Sequence, residues 1–214
     1  MSQVKSKKRV NDHGEVFTNE REVNAMLDLV KQETLRIDSR FLEPACGTGN
    51  FLVEVLRRKQ TVVIERYKKN QLDYERNLIT AVTSLYGVDL LEDNIKECRE
   101  RLYKIVFSDY AKRFGINHKK ELLLSLEFIF KKNIIQGDAL TLMDSKGKKP
   151  IVFSEWSAVN GSMIKRRDYT MANLLESQPL DGPNLFSDLG DKAFIPTPVA
   201  EYPLTHFLKL AEHV

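Results

Sequence analysis

The sequence predicts an α/β fold, because three apolar segments with acidic residues at or near their ends alternate with helical patterns. The segments cover about residues 40–43, 82–90 and 133–140, and the acidic residues are Glu43, Asp89 and Asp138. A glycine turn, Gly47-Thr48-Gly49, follows the first segment, and apolar residues then recur at helical spacing. After residue 156 the pattern changes to a β-hairpin and a loop-rich tail.

The helical segments follow from apolar spacing and capping residues. Thr18 or Asn19 is expected to cap a first helix to about Leu35, with Glu22 completing a capping box. The glycine turn leads into a second helix over about 49–59. A long charged helix is predicted over 62–81, and a helical pair over 94–107 and 119–132.

Length and composition favour one α/β domain in a reducing compartment. The chain has 214 residues, of which 42% are hydrophobic and 29% are charged. No apolar run approaches the ~20 residues of a membrane span, and the polar start lacks the apolar core of a secretion signal. Cys46 and Cys98 have no metal-like spacing, so we predict no metal site, no membrane association and a cytoplasmic location.

The charge distribution permits contact with a polyanion without indicating one. The net charge is +3, and basic residues cluster at Lys5–Arg9 and at Lys165-Arg166-Arg167. Each cluster is interpreted either as a solvated face or as a set of phosphate contacts.

The glycine turn has the chemistry of a ligand site. Gly47 and Gly49 can adopt backbone angles closed to other residues and let a ligand approach the main chain closely. The following helix directs its unpaired N–H groups towards the turn, and Glu43 could meet a cationic or hydroxyl-bearing group. A tight strand-to-helix connection without a ligand is the alternative.

The stretch Glu-Pro-Ala-Cys-Gly-Thr-Gly-Asn-Phe-Leu at 43–52 resembles motif I of the amino-methylating DNA methyltransferases, especially adenine-N6 enzymes of restriction–modification systems. The resemblance implies a Rossmann-like class I methyltransferase sheet with flanking helices and S-adenosyl-L-methionine as the cofactor. It also implies that DNA is the substrate and that a specificity or restriction subunit is a possible partner. The motif I residues expected at the cofactor are Glu43, Pro44, Ala45, Gly47, Gly49, Asn50 and Phe51.

Three shorter stretches resemble further motifs of that family. Gly-x-x-Phe-Thr at 14–18 is similar to motif X, which implies that Phe17 and Thr18 fold over the cofactor, although Asn19 replaces the usual proline. Gly-Val-Asp-Leu at 87–90 is similar to motif II and implies that Asp89, with Leu90, binds the ribose. A helix cap is the alternative role for Asp89.

Gly-Asp-Ala at 137–139 is similar to motif III of the family. The resemblance implies that Asp138, with Ala139, accepts a hydrogen bond from the adenine amino group of the cofactor. The alternative is that the Asp138 side chain only caps a turn.

The catalytic motif of the family is missing. An adenine-N6 enzyme needs a strand that ends in Asp, Asn or Ser, followed by Pro-Pro and an aromatic residue, to hold the flipped base, and the sequence contains no Pro-Pro pair. Ser154 and Trp156 could form a divergent base-binding loop with catalytic roles. We favour a hairpin that turns at Asn160-Gly161, in which Trp156 packs across strands.

One domain is therefore predicted over residues 1–214. Residues 1–20 form a basic arm with motif X, residues 21–156 a cofactor-binding core, and residues 157–214 a hairpin and irregular tail. Three functions remain open: an adenine-specific DNA methyltransferase, a non-catalytic cofactor-binding subunit that acts with a partner chain, and a methyltransferase for RNA or protein.

Overall fold

The computed structural model describes residues 7–13, 16, 18–175 and 196–212. Its helices are α1 (Lys7–His13), α2 (Glu20–Leu29), α3 (Lys31–Thr34), α4 (Asn50–Tyr67), α5 (Gln71–Thr83), α6 (Glu92–Phe114), α7 (Lys120–Asn133) and α8 (Met171–Leu175). Its strands are β1 (Phe41–Glu43), β2 (Leu85–Asp89), β3 (Ile134–Asp138), β4 (Met143–Asp144), β5 (Val152–Ala158), β6 (Met163–Thr170), β7 (Ala200–Glu201) and β8 (Thr205–His206). Two 3₁₀ helices cover Gly115–Asn117 and Phe207–Glu212.

The first sheet has the order β1-β2-β3-β4. The first three strands are parallel, and β4 pairs with β3 in the antiparallel direction. Helices α4 and α5 connect β1 to β2, whereas α6 and α7 connect β2 to β3. Parallel strands joined by helices put all their carboxyl ends at one edge of the sheet. The predicted α/β class is confirmed.

The second sheet contains the predicted hairpin. Strands β5 and β6 are antiparallel with Ala158 opposite Ile164, and β7 and β8 pair with β6. The turn is one residue longer than the predicted Asn-Gly pair, because Val159 N donates to Met163 O at 3.0 Å and leaves residues 160–162 between them. Strand β5 also begins earlier than the predicted hairpin strand, at Val152.

The prediction of one charged helix over 62–81 is wrong. Helix α4 continues to Tyr67, and α5 begins at Gln71. Between them, Asn70 has an extended backbone, and its side chain accepts a hydrogen bond from Asp73 N at the start of α5. An asparagine cap of this kind satisfies a helix N–H and starts a new helix. The apolar residues of both helices point inwards, as buried Val63 and Leu78 illustrate.

The first predicted helix ends at Leu29, and a short α3 follows it. Its beginning agrees with the sequence, because Asn19 accepts from Glu22 N while the Glu22 side chain accepts from Asn19 N. This reciprocal pair is the predicted capping box.

Two apolar clusters hold the elements together. The larger one joins helices α4 to α7 and includes the fully buried Leu56, Leu102 and Ile129. The smaller one joins the two sheets through residues such as Tyr86 and Phe153, whose rings meet edge to face at 5.4 Å. Complete burial of a side chain such as Leu56 stabilises the folded state by about 1.5–3 kcal/mol relative to leaving it exposed. Among the described helices, none is both long and apolar enough to cross a membrane.

Lys59 is a buried lysine that ties β1 and β2 to α4. Its Nζ donates to Ile37 O at 3.1 Å, to Ser39 O, and to Ser84 Oγ at 2.5 Å. These oxygens lie just before the two strands, so the lysine fixes where both strands begin. Burial lowers the pKa of Lys59 to about 7 from its ordinary 10.5.

This lowered pKa predicts that stability rises with pH. Between about pH 7 and 10 the unfolded chain keeps its Lys59 proton and the folded chain does not, so the free energy of unfolding increases with pH. Lys59→Met should reduce that slope in urea unfolding measured from pH 6.5 to 9.5. Lys96→Met is the control, because Lys96 is exposed. An equal slope in Lys59→Met and the wild type would contradict the prediction.

Candidate functional site

A groove of about 440 Å³ lies at the carboxyl ends of the parallel strands. Its volume is within the range of about 300–1,000 Å³ that is usual for small-molecule sites. The lining residues come from the β1–α4 turn, from the ends of β2 and β3, and from the stretch before α2. They are Val16, Thr18, Glu43, Pro44, Ala45, Cys46, Gly47, Asn50, Phe51, Asp89, Leu90, Leu91, Asn94, Gly137, Asp138, Ala139 and Leu140.

The floor of the groove is the turn between β1 and α4. Gly47 and Gly49 both have a positive φ, of 51° and 87°, which favours glycine. Cys46 N donates to Val88 O at 2.8 Å, and Gly49 N donates back to Cys46 O at 2.8 Å. The tight turn places the start of α4, with its unpaired N–H groups, beside the groove.

Asp89 joins the end of β2 to this turn. Its Oδ2 accepts from Gly47 N at 2.9 Å, and its Oδ1 accepts from Leu91 N at 2.9 Å and from Asn94 Nδ2 at 3.1 Å. A carboxylate has about four acceptor positions, so these three bonds leave one on Oδ2. The carboxylate therefore holds the glycine turn and the start of α6 in place, and it can still accept a hydrogen bond from a ligand.

Glu43 and Asp138 add two further carboxyl groups to the groove. Glu43 Oε1 accepts from Ala45 N at 3.4 Å, and burial raises the pKa of Glu43. Asp138 Oδ1 accepts from Leu140 N at 2.9 Å, and this backbone bond lowers the pKa of Asp138. The groove thus offers acceptors to a ligand that carries hydroxyl, amino or cationic groups, between apolar walls.

A hydrogen-bond chain fixes the opposite wall. Asn50 Nδ2 donates to Thr18 O at 2.8 Å, while Asn50 Oδ1 accepts from Arg101 Nη1 at 2.9 Å. The same Arg101 nitrogen donates to Thr48 O at 2.6 Å. Arg101 therefore connects α6 to the glycine turn and, through Asn50, to the chain before α2.

Most of the residues predicted for the cofactor line this one groove. Eleven do so: Thr18, Glu43, Pro44, Ala45, Gly47, Asn50, Phe51, Asp89, Leu90, Asp138 and Ala139. Gly49 is not a lining residue, because it faces Cys98 beneath the turn. Phe17 lies outside the described residues.

Asn94, Arg101 and Leu140 were not predicted as site residues from the sequence. Asn94 and Arg101 are polar residues of α6 with no local signal that separates them from their neighbours. Leu140 is 95% exposed at the rim of the groove. Exposed apolar residues beside a binding site are detectable only once the fold is known, since single exposed leucines are common.

Cys46 lies in the turn as a packing residue. It is buried, and a hydrogen bond with Cys98 together with burial raises the pKa of the Cys46 thiol. A thiol in this environment stays protonated and is a poor nucleophile.

Ser154 and Trp156 lie in the middle of β5, in a strand rather than in a loop. Ser154 Oγ donates to Asp168 Oδ1 at 2.7 Å, and Trp156 Nε1 donates to Asn133 Oδ1 at 3.1 Å. Both side chains are buried, and neither lines the groove. Strand pairing and these hydrogen bonds keep both away from it, and Trp156 packs edge-on against Phe128.

Comparisons with protein-family models, with curated proteins and with solved structures give no match. Within the described ranges, no group of three or more His, Cys, Asp or Glu side chains could hold a metal ion.

Gly49→Ala should destabilise the fold by about 2 kcal/mol or more, because φ is positive and an added Cβ would lie 2.5 Å from Cys98 Sγ. Urea unfolding measures this loss. Gly147→Ala is the control for φ alone, since φ is 64° there and no atom lies within 4 Å of the added Cβ. Gly49→Ala should cost less stability in a chain that already carries Cys98→Ala, because the Sγ atom that the added Cβ would meet is absent there. An equal loss with and without Cys98 would contradict the steric explanation.

Proposed function

We propose that the groove binds S-adenosyl-L-methionine and that the chain is the cofactor-binding part of an adenine-N6 DNA methyltransferase of a restriction–modification system. In this proposal the parallel strands belong to a Rossmann-like class I methyltransferase sheet. DNA and a specificity or restriction subunit are the proposed partners, in the cytoplasm.

The convergence of three distant segments carries this proposal. The glycine turn, Asp89 and Asp138 are separated by 42 and 49 residues along the chain, yet all three line one groove. The same stretches resemble motifs I, II and III of one methyltransferase family. The order β1-β2-β3, with the glycine turn after β1, agrees with ligand binding outside the carboxyl ends of parallel strands.

The residues of the groove suit the chemical groups of this cofactor. Asp89 Oδ2 has an acceptor position for a ribose hydroxyl, and the partly exposed Asp138 can accept from an exocyclic amino group. Glu43 offers a carboxyl group for a cationic group, and the absence of side chains at Gly47 permits close approach to the turn. When bound, the cofactor supplies an activated methyl group on a sulfonium.

The contacts to the acceptor base are proposed to come from a second chain. The sequence contains no Pro-Pro pair, and Ser154 and Trp156 are committed to hydrogen bonds within the second sheet and with α7. A flipped base needs acceptors for its amino group and an aromatic face beside the methyl group. This chain therefore acts as a cofactor-binding subunit, and methyl transfer requires its partner.

Asp89→Ala and Asp138→Ala should each weaken S-adenosyl-L-methionine binding roughly tenfold to a hundredfold, because a hydrogen bond to a charged group is lost. Isothermal titration calorimetry measures the dissociation constants, and circular dichroism checks that the variants fold. Asp144→Ala is the matched control, since Asp144 is a partly exposed aspartate outside the groove that holds the 146–149 loop. Unchanged affinity in the folded Asp89 and Asp138 variants would exclude this site.

Purified chain, incubated with unmethylated DNA and labelled S-adenosyl-L-methionine, should bind the cofactor without forming N6-methyladenine. The physical reason is that the sequence has no Pro-Pro pair and that Ser154 and Trp156 do not line the groove. Scintillation counting and nucleoside mass spectrometry measure transfer. Formation of N6-methyladenine by this chain alone would contradict the need for a partner and would establish a complete enzyme.

A further inference from the structure

Strand β1 has an open edge. It pairs with β2 on one side, and no other strand of the described part of the chain pairs with its second side. Phe41 N donates to Ser84 O, so the backbone of Phe41 faces β2. Because neighbouring residues of a strand direct their backbone groups to opposite sides, the N–H and C=O of Leu42 face the open edge. Open edges of this kind are templates for another strand.

An apolar cavity of about 220 Å³ adjoins this edge. Leu42 and its register neighbour Tyr86 belong to the first sheet, whereas Phe153 and Tyr169 belong to the second. Leu174 of α8 completes the apolar wall and is 45% exposed. The cavity is therefore open to solvent, and its walls suit an apolar side chain.

Glu155 adds a fixed carboxylate to the lining of the cavity. Its Oε1 accepts from Arg40 Nη2 at 2.7 Å and from Ser157 Oγ at 2.8 Å. Its Oε2 is buried and lies 3.7 Å from Arg167 Nη1. Two arginines and a serine therefore hold the carboxylate in place, and the space for a bound group lies against the apolar walls.

We propose that the open edge of β1 and the adjoining cavity dock an extended segment of a second polypeptide by strand addition. The segment pairs with the backbone of Leu42 and inserts an apolar side chain into the cavity. This inference rests on the edge and the cavity, and it does not depend on the identity of the ligand in the groove.

An extended peptide is the occupant that uses the open edge and the cavity at once. A strand supplies backbone donors and acceptors along an edge, and its alternate side chains enter pockets on one face. A small apolar molecule would fill the cavity and leave the Leu42 backbone unpaired. Because β1 also ends at Glu43 and the glycine turn, a docked segment would lie beside the groove.

The test uses phage-displayed heptapeptides with apolar residues fixed at alternate positions, selected on the purified protein. Fluorescence anisotropy then measures the binding of a selected peptide to the wild type and to variants. Leu42→Pro removes the N–H at the open edge without removing a bond to β2 and should weaken binding at least tenfold. Leu42→Val keeps that N–H and an apolar side chain and should bind within about threefold of the wild type.

A further variant does not alter the backbone of β1. Leu174→Lys should weaken binding by placing a charge at the mouth of the cavity. Leu29→Lys is the control, because Leu29 is 87% exposed on α2 and lies outside the cavity.

The outcomes are distinct from those of the cofactor experiments. Binding that is lost in Leu42→Pro and Leu174→Lys and kept in Leu42→Val and Leu29→Lys supports strand addition. Failure to select any peptide, or equal binding to all variants, overturns it. Calorimetry with S-adenosyl-L-methionine on the same preparations reports the groove separately, so either proposal can fail while the other stands.

Discussion

The bond from Gly47 N to the carboxylate of Asp89 is the interaction on which the groove depends. It joins the turn between β1 and α4 to the last residue of β2, over 2.9 Å. The neighbouring bond from Cys46 N to Val88 O continues the pairing of these strands beyond the sheet. Together they fix a turn with two positive φ angles, and α4 begins at its end. Without this link the glycine turn would have many conformations of similar energy.

Helix α6 supports this link from one side. Asn94, near its beginning, donates to Asp89, and Arg101, two turns later, donates to the turn itself and to Asn50. The helix therefore holds both ends of the floor of the groove. Packing of α6 against the core through the fully buried Leu102 and Val106 sets the position of these polar groups. In this way apolar burial determines the geometry of a polar site.

The second sheet covers one face of the first and leaves an edge of it open. Tyr86 packs against Phe153, and its hydroxyl donates to Ser154 O at 3.1 Å. Arg166 lies over the Tyr202 ring and pairs with Asp168, which also accepts from Ser154. These contacts explain why Ser154 serves the packing of the sheets. The polar residues that a catalytic loop would require are already used in this buried network.

The sequence alone determined the α/β class, the three acidic strand ends and the glycine turn. Each is a local pattern of apolar spacing, glycine conformation or strand termination, and local energetics decides it. The break between α4 and α5, the roles of Asn94 and Arg101, and the burial of Ser154 and Trp156 were decided by the tertiary structure. They depend on which distant residues meet, such as Asn133 with Trp156 across 23 positions. Burial and hydrogen-bond partners are properties of the assembled core, and no single segment contains them.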